Sequence, residues 1–244
     1  MIQADLSDKV TVITGASSGM GAAIARRFAG CGSRVVLAGR RLDRLEALAT
    51  EIRQAGGTAL AVACDVSDWP QVEALVQKAL DEMGQIDVMV NAAGFGTLKP
   101  LAQTSVAEID SQIDVNFKGL CYGCKAVLDH MRSRRTGQIL NIGSVGSVRH
   151  YPSFAVYVGA KHAVLGFSRS LYEEVREEGI RVHVLCPAAV NTEFIDVAGF
   201  GEVPWPADGM IQAEDIAELA LTCVALPANV HIDTMVLWPT CQAT

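Results

Sequence analysis

The chain has 244 residues, 50% of them hydrophobic and 19% charged, a composition that can bury a large core and that excludes a disordered protein. Its 20 basic and 27 acidic residues give a formal net charge of −7, with the acidic residues scattered, which disfavours a general binder of nucleic acids or anionic membranes. The length fits one large domain or two small ones.

Short β-branched segments bounded by turn residues alternate with longer amphipathic segments, a pattern typical of repeated βαβ units and a parallel sheet. The predicted strands are Val10–Thr14, Arg34–Ala38, Thr58–Ala63, Val88–Asn91, Gln138–Ile142, Arg181–Cys186 and Met235–Trp238. The predicted helices are Gly21–Ala29, Leu42–Gln54, Pro70–Glu82, Val106–Arg132, Tyr157–Glu178 and Ala213–Ala225. Several strands are apolar at successive residues, as strands covered on both faces are. We find no linker or internal repeat, and we therefore predict a single α/β domain over residues 1–244. It is doubly wound and Rossmann-like, a seven-stranded parallel sheet with helices on both faces.

A glycine-rich turn follows the first predicted strand and leads into the first helix. Glycines let backbone N–H groups approach a pyrophosphate closely, and the helix N-terminus adds a favourable dipole. The spacing is G-x-x-x-G-x-G rather than the common G-x-G-x-x-G, but the strand–turn–helix context favours a dinucleotide site over a tight turn without a ligand. The residues predicted to contact the phosphates are Gly15, Ser17, Ser18, Gly19, Met20 and Gly21.

The end of the second predicted strand indicates which dinucleotide binds. A carboxylate for the ribose 2′-OH of NAD(H) is expected about 20 residues after the turn, whereas an arginine accommodates the 2′-phosphate of NADP(H). The sequence there is Gly39-Arg40-Arg41, and two guanidiniums can hold a phosphate as a fork. We predict NADP(H), with a solvated helix start as the alternative role of the arginines. Asp43 is predicted to begin a helix rather than to bind ribose.

Tyr157 and Lys161 are four residues apart in the fifth predicted helix, so their side chains lie on one helical face. An ammonium near a phenol lowers its pKa from the usual value of about 10. The pair is therefore predicted to make Tyr157 a proton donor and acceptor near neutral pH. Such a pair taken alone is a weak signal, because polar pairs at this spacing are common on helix surfaces.

Further motifs follow the same order along the chain. They are Asp65 after the third strand, Asn91-Ala92-Ala93-Gly94 after the fourth, Asn116 in the fourth helix, Ser144 after the fifth strand, and Pro187 with Thr192 after the sixth. Ser144 stands thirteen positions before Tyr157. In this order and spacing, and across nearly the whole chain, the sequence resembles the short-chain dehydrogenase/reductase family.

The resemblance implies an NADP(H)-dependent oxidoreductase that interconverts a secondary alcohol and a ketone or aldehyde by hydride transfer. It implies that Tyr157 is the general acid and base and that Ser144 bonds the same substrate oxygen. Lys161 would bind the nicotinamide ribose hydroxyls, and Asn116 would hold a water that links Lys161 to solvent. Asp65 would bond the adenine, and Val190 and Thr192 would hold the carboxamide. The complete set of cofactor contacts implied in this part of the chain is Asp65, Val66, Asn91, Ala92, Ala93, Gly94, Tyr157, Lys161, Pro187, Val190 and Thr192. Taken singly, the serine, asparagine, aspartate and threonine residues also fit local backbone bonding, turns or caps.

One departure concerns the pair after the sixth strand, which is Pro187-Ala188 where the family usually has Pro-Gly. Alanine would be strained there if the position needed a positive φ. This departure puts the placement of Val190 and Thr192 in doubt.

Substrate preference is expected from two variable segments, 145–154 and the Gly- and Pro-rich stretch 191–212, which is predicted to be a lid. The residues predicted to contact the substrate are Ser144, Val145, Tyr151, Phe154 and Tyr157, and Phe194, Phe200 and Trp205 could add to an apolar wall. Arg149 or His150 could instead receive a carboxylate or sulfonate, although an exposed loop arginine is the more common case.

Other features predict absences. Cys121 and Cys124 have C-x-x-C spacing but lie inside a helix, where no dipole activates a thiol, and the five histidines are dispersed, so no metal site is expected. Without a secretory signal or a membrane span of about 18 apolar residues, a cytoplasmic protein is expected.

The family resemblance implies a homotetramer or homodimer joined through the two long helices. The alternatives are a regulator that senses NADP(H) without turnover and a sugar-nucleotide epimerase.

Overall fold

The computed structural model of the protein describes residues 4–201 and 204–242. Its strands are β1 (Val10–Thr14), β2 (Arg34–Gly39), β3 (Ala59–Ala63), β4 (Val88–Asn91), β5 (Gly137–Ile142), β6 (Ile180–Pro187), β7 (Val190–Asn191), β8 (Ile211–Gln212) and β9 (Thr234–Leu237). Its helices are α1 (Gly19–Gly30), α2 (Leu42–Gln54), α3 (Trp69–Met83), α4 (Val106–Ile113), α5 (Gly119–Arg134), α6 (Ala155–Val175), α7 (Phe194–Ala198) and α8 (Ala213–Ala225).

Seven parallel strands form the main sheet in the order β3-β2-β1-β4-β5-β6-β9. The order reverses between β1 and β4, which are hydrogen-bonded neighbours in register from Thr11 opposite Val88 to Thr14 opposite Asn91. This is the doubly wound, Rossmann-like arrangement. It confirms the predicted fold class.

The two faces of the sheet have separate apolar cores because successive strand side chains point in opposite directions. In β1, Ile13 belongs to the core shared with α1, α2 and α8, which includes Phe28, Leu45 and Ile216. Val12 belongs to the opposite core, shared with α3, α5 and α6. Helices therefore cover both faces, as the continuous apolar strands predicted.

Local signals explain several boundaries. Helix α3 begins one residue before Pro70, a residue that fits the first turn because its missing N–H is not needed there. It ends at Gly84, whose φ of 79° is the left-handed conformation that terminates helices. Strands β1 and β4 and helices α2 and α8 have the predicted ends, and the remaining helices and strands of the main sheet differ from prediction mainly at their ends.

Two segments depart from the sequence prediction. The helix predicted over 106–132 is divided into α4 and α5 by a π-helical turn, Asp114–Lys118, which carries Asn116. The segment 191–212, predicted as an irregular lid, contains α7. The short strands β7 and β8 lie at its two ends and pair in parallel. The described parts of this segment are thus more ordered than its glycines and prolines predicted.

Within residues 4–201 and 204–242, no helix combines the length and the apolar character that crossing a membrane requires.

Candidate active site

The glycine-rich turn lies at the carboxyl end of β1, where the strand order reverses. Gly15 has φ +68°, and a Cβ atom added to it would lie 2.7 Å from the backbone nitrogen of Ala93. The turn therefore contacts the segment that continues β4, and no side chain fits between the two. Clefts at this point of an α/β sheet are where such folds bind nucleotides.

Two adjoining cavities open from this point. A groove of about 310 Å³ runs along the turn and the ends of β2 and β3, and a cavity of about 640 Å³ extends toward β5, β6 and α7. Met20, Ala92, Gly94 and Thr192 line both. The groove is further lined by the predicted cofactor residues Gly15, Ser17, Ser18, Gly19, Gly21, Gly39, Arg40, Arg41, Asp65, Val66 and Ala93. The larger cavity is further lined by the predicted residues Asn116, Ser144, Val145, Tyr151, Phe154, Tyr157, Lys161, Pro187 and Val190.

Asn91 is the exception among the predicted cofactor residues. It is buried at the end of β4 and lines neither cavity. Its Nδ2 donates to Asn141 Oδ1 at 2.9 Å and lies 3.4 Å from Cys124 Sγ. The side chain therefore ties β4 to β5, and the prediction that it contacts the cofactor is not supported.

The far end of the groove carries the two predicted arginines. Arg41 donates from Nη2 to Ser18 Oγ at 2.6 Å and to Ser17 Oγ at 2.9 Å, so its guanidinium lies against the glycine-rich turn. Arg40 is exposed and lines the groove, where its charge contributes to lowering the pKa of Asp65. Both cations lie where a phosphate on the adenosine half of a dinucleotide would meet them.

Asp65 is partly committed to its own loop. Its Oδ1 accepts from the backbone N–H of Ser67 at 3.0 Å and from Ser67 Oγ at 2.7 Å. Hydrogen bonds from Ser67 are the main reason that the pKa of Asp65 is lowered. The carboxylate is thus ionised and fixed in orientation at the wall of the groove.

Four polar side chains line the larger cavity, and all are buried: Ser144 is 9% exposed, Tyr157 7%, Lys161 4% and Asn116 1%. The Ser144 hydroxyl lies close enough to the Tyr157 phenol to lower its pKa. Lys161 Nζ lies 5.6 Å from the centre of the Tyr157 ring and donates to the carbonyl of Ile142 at 2.8 Å. The structure thus brings together all four predicted catalytic residues.

The electrostatics of this cluster differ from the sequence prediction. Burial raises the pKa of Tyr157 to about 12, and the neighbouring Ser144 hydroxyl opposes that rise only in part. Burial likewise lowers the pKa of Lys161 to about 8. The prediction that Lys161 lowers the phenol pKa is therefore wrong for this structure, because desolvation of the buried phenol dominates and the effect that opposes it comes from Ser144.

Asn116 occupies the π-helical turn, a distortion often found at functional sites. Its Nδ2 donates to the carbonyls of Phe95 at 2.7 Å and Gln112 at 2.9 Å. Its Oδ1 is buried with no hydrogen-bond partner within the described residues. A Cβ atom on Gly94 would lie 2.8 Å from this oxygen and 3.5 Å from Lys161 Nζ. An unpaired acceptor and a cation therefore face the same narrow space beside Gly94.

The larger cavity has an aromatic wall. Phe154 stacks on Tyr157 with ring centres 4.4 Å apart, and Phe194 lies 5.6 Å from the same ring. Phe200 and Trp205 also line the cavity, as the sequence suggested. Sequence reasoning missed Leu98, Pro100, Ile195 and Gln242. Gln242 Oε1 accepts from the backbone of Ala189 at 3.3 Å, a contact across 53 residues that no local pattern signals.

Charge is scarce in this cavity. Among the described residues that line it, Lys161 carries the one cationic side chain. Arg149 and His150 are exposed and lie outside it, so the alternative in which one of them binds a substrate carboxylate is not supported. Tyr151 Oη is buried and has no hydrogen-bond partner among the described residues. It is the remaining polar group of the aromatic wall.

The departure at Ala188 carries no backbone strain. Over residues 4–201 and 204–242, the non-glycine residues with positive φ are Arg135 and Ser153. Ala188 donates its N–H to the carbonyl of Leu237 at 2.9 Å, and Val190 and Thr192 still reach the cavity. The local backbone thus accepts alanine.

The remaining sequence features do not add a second site. Cys121 and Cys124 are reduced, and burial raises the pKa of both thiols. In the part of the chain that the structure describes, no group of three or more His, Cys, Asp or Glu side chains could hold a metal ion.

Comparisons with known proteins agree with this geometry. The family model described as short chain dehydrogenase matches residues 9–198. An uncharacterised oxidoreductase of Staphylococcus saprophyticus is 34% identical over 236 residues, covering 96% of this chain and 99% of that protein. The 3beta-hydroxysteroid dehydrogenase 1 of Eggerthella lenta is 40% identical over 191 residues, covering 77% of this chain and 73% of that protein. Among solved structures, the alcohol dehydrogenase from the archaeon Thermococcus sibiricus, complexed with 5-hydroxy-NADP, superposes with a TM-score of 0.89 at 34% identity. That superposition covers 97% of this chain and 98% of the other.

Proposed function

The chain belongs to the short-chain dehydrogenase family, to which the oxidoreductases named above are similar, and from that membership we propose that it is an NADP(H)-dependent enzyme that interconverts a secondary alcohol and a ketone or aldehyde. The observation that carries the proposal is the buried cluster of Ser144, Tyr157, Lys161 and Asn116 in the larger cavity, beside Gly94, which lines both cavities. One cavity suits a dinucleotide and the other an apolar substrate.

The residues present fit an NADP(H) molecule. Gly15 and Gly94 leave room where a Cβ atom would meet backbone or Asn116 Oδ1 at less than 3 Å. Arg41, held against Ser17 and Ser18, supplies a fork for a 2′-phosphate. The turn would hold the pyrophosphate, Lys161 the nicotinamide ribose, and Val190 with Thr192 the carboxamide. The nicotinamide, when bound, supplies or accepts the hydride.

Tyr157 is the proton donor in the reducing direction. Because burial raises its pKa to about 12, the phenol is protonated at neutral pH and holds the proton that the substrate oxygen needs. The Ser144 hydroxyl lies close to the phenol and can bond the same substrate oxygen, which fixes that oxygen next to the donor. In the oxidising direction the phenolate form of Tyr157, which the raised pKa makes scarce at neutral pH, accepts the proton of the alcohol.

Lys161 returns the proton that Tyr157 gives away. Burial lowers the pKa of Lys161 to about 8, so the side chain is still an ammonium at neutral pH but releases its proton more readily than an exposed lysine. Its position beside Gly94 and the unpaired Asn116 Oδ1 supports a proton path through Asn116 toward solvent.

The substrate that fits is an uncharged, largely apolar carbonyl compound. A carboxylate would be desolvated among Phe154, Phe194 and Phe200 with no cation beside it other than Lys161, at a high energetic cost. The hydroxysteroid named for the Eggerthella lenta relative is a compound of this chemical kind.

The proposal is tested by following cofactor oxidation over a panel of apolar ketones, aldehydes and keto acids, with NADPH and NADH in parallel. We expect turnover with NADPH on apolar ketones, and a loss of about 100-fold or more in Tyr157→Phe with NADPH binding retained. Tyr172→Phe is the matched control, because Tyr172 stacks on His231 away from both cavities. Turnover that Tyr157→Phe leaves unchanged would refute the mechanism. Tight NADPH binding without turnover on any compound would favour the sensing regulator instead.

A further inference from the structure

Glu193 is a carboxylate placed at the cofactor groove that the mechanism does not use. It lies directly before α7 and lines the groove. Its Oε2 pairs with Arg41 Nη1 at 3.1 Å and its Oε1 pairs with Arg44 Nη1 at 2.7 Å. The two ion pairs join the chain after β7 to the start of α2, across about 150 residues.

Arg41 is shared between this carboxylate and the glycine-rich turn. Its Nη2 bonds the hydroxyls of Ser17 and Ser18, and its Nε bonds Ser17 at 3.2 Å, while Nη1 bonds Glu193. Under the proposed function the same guanidinium receives the 2′-phosphate of the cofactor. A phosphate and a carboxylate seek the same donors and repel each other.

Glu193 is also directly connected to the catalytic cavity. Its neighbour Phe194 packs 5.6 Å from the Tyr157 ring, and Ile195 lines the same cavity. On the other side, Thr192 would contact a Cβ atom on Gly19 at 3.3 Å. The ion pairs of Glu193 therefore fasten the wall of the substrate cavity to the adenosine end of the groove.

We propose that Glu193 and the 2′-phosphate of NADP(H) compete for Arg41, so that binding of the phosphate loosens α7 from the glycine-rich turn. This inference rests on the proposed use of NADP(H). Glu193 is then a specificity-determining residue that opposes the 2′-phosphate, and Arg44 is the partner that keeps the displaced carboxylate nearby. Cofactor binding at one end of the groove is thereby coupled to the mobility of the substrate wall at the other.

The first test measures cofactor affinity by titrating the purified protein with NADPH and NADH. Removing an exposed ion pair of this kind changes an interaction by about 0.5–1 kcal/mol, so Glu193→Gln should bind NADPH about two- to fivefold more tightly. Its affinity for NADH should stay unchanged. Glu178→Gln is the matched control, because Glu178 makes a similar exposed pair with Arg132 at 2.7 Å, away from both cavities.

The second test measures hydrogen exchange of the α7 amides with two probes that lack nicotinamide, adenosine 2′,5′-bisphosphate and 5′-AMP. Only the first carries a 2′-phosphate, so a difference between them isolates that group. We expect the bisphosphate, and not 5′-AMP, to speed exchange in residues 194–198 by about two- to fivefold, since the pairs it breaks are exposed. In Glu193→Gln exchange should already be fast and insensitive to either probe.

Arg41→Ala separates the inference from the proposed function. If this substitution weakens NADPH binding no more than NADH binding, the proposed preference for NADP(H) fails and the inference fails with it. If Arg41→Ala weakens NADPH selectively while Glu193→Gln changes neither NADPH affinity nor α7 exchange, the inference alone is overturned. If Glu193→Gln binds NADPH more tightly than the wild-type protein, and adding Glu193→Gln to Arg41→Ala gives no such gain, the inference is supported.

Discussion

Substituting Gly94 by alanine tests whether the space between Asn116 and Lys161 is needed for the reaction. The new Cβ atom would lie 2.8 Å from Asn116 Oδ1 and 3.5 Å from Lys161 Nζ. Gly94 does not have a positive φ, so the backbone itself tolerates alanine and the effect comes from the contact alone.

The magnitude follows from how firmly Asn116 is held. Its Nδ2 makes two hydrogen bonds, to the carbonyls of Phe95 and Gln112, so Oδ1 cannot turn away without breaking them. Overpacking of this kind costs about 1–3 kcal/mol. If that cost falls on the reactive geometry, kcat should drop by about 5- to 150-fold.

The assay is the NADPH-dependent reduction of the best ketone of the panel, with NADPH affinity and urea-induced unfolding measured on the same preparation. Gly30→Ala is the matched control, since a Cβ atom there meets nothing within 4 Å, and it should leave kcat and NADPH affinity unchanged. A folded Gly94→Ala variant with normal kcat and normal NADPH affinity would refute the assigned roles of Asn116 and Lys161.

Three further predictions concern charge, stability and the substrate wall. Because burial lowers the pKa of Lys161 to about 8, the side chain loses its ammonium proton above that pH. The rate of ketone reduction at saturating NADPH should therefore fall as pH rises through 8. A rate that stays constant up to pH 10 would contradict the role of Lys161 in returning the proton to Tyr157. Asp87 is buried and accepts from the backbone N–H of Val10 at 2.8 Å, so Asp87→Ala should lower the free energy of unfolding in urea by about 1–3 kcal/mol, whereas the exposed Asp81→Ala should change it little. Tyr151→Phe removes a hydroxyl of the substrate wall that is buried without a hydrogen-bond partner among the described residues, so it should keep or raise the free energy of unfolding in urea, by up to about 1 kcal/mol; a loss of about 1 kcal/mol or more would contradict that reading.

The fold was accessible from the sequence because its signals are local. Short β-branched segments identified the strands of the main sheet and amphipathic segments identified the helices that cover it, and residues such as Pro70 and Gly84 set helix ends through their own backbone preferences. The π-helical turn at Asn116 lacked such a signal. It inserts into a helix that the sequence predicts as continuous, and Asn116 within it bonds the Phe95 carbonyl, a contact across 21 residues that no local pattern signals.

The candidate site was predictable where residue spacing determines geometry, as for Tyr157 and Lys161 on one face of α6. It was not predictable where depth of burial decides the chemistry. The pKa of Tyr157 rises although the spacing to Lys161 suggested a fall, because desolvation depends on what covers the helix. Contacts across the chain, such as Glu193 with Arg41 and Gln242 with Ala189, have no signature in a single sequence.

The central claim is that Tyr157 supports hydride transfer between NADPH and an apolar ketone in the larger cavity. The most direct measurement uses NADPH deuterated at C4 of the nicotinamide and follows deuterium into the alcohol product by mass spectrometry. The account predicts that deuterium appears at the carbinol carbon with the wild-type protein and that Tyr157→Phe, with NADPH still bound, forms little labelled product. Labelled alcohol formed at the same rate by Tyr157→Phe, or none formed by the wild-type protein from any ketone of the panel, would contradict it.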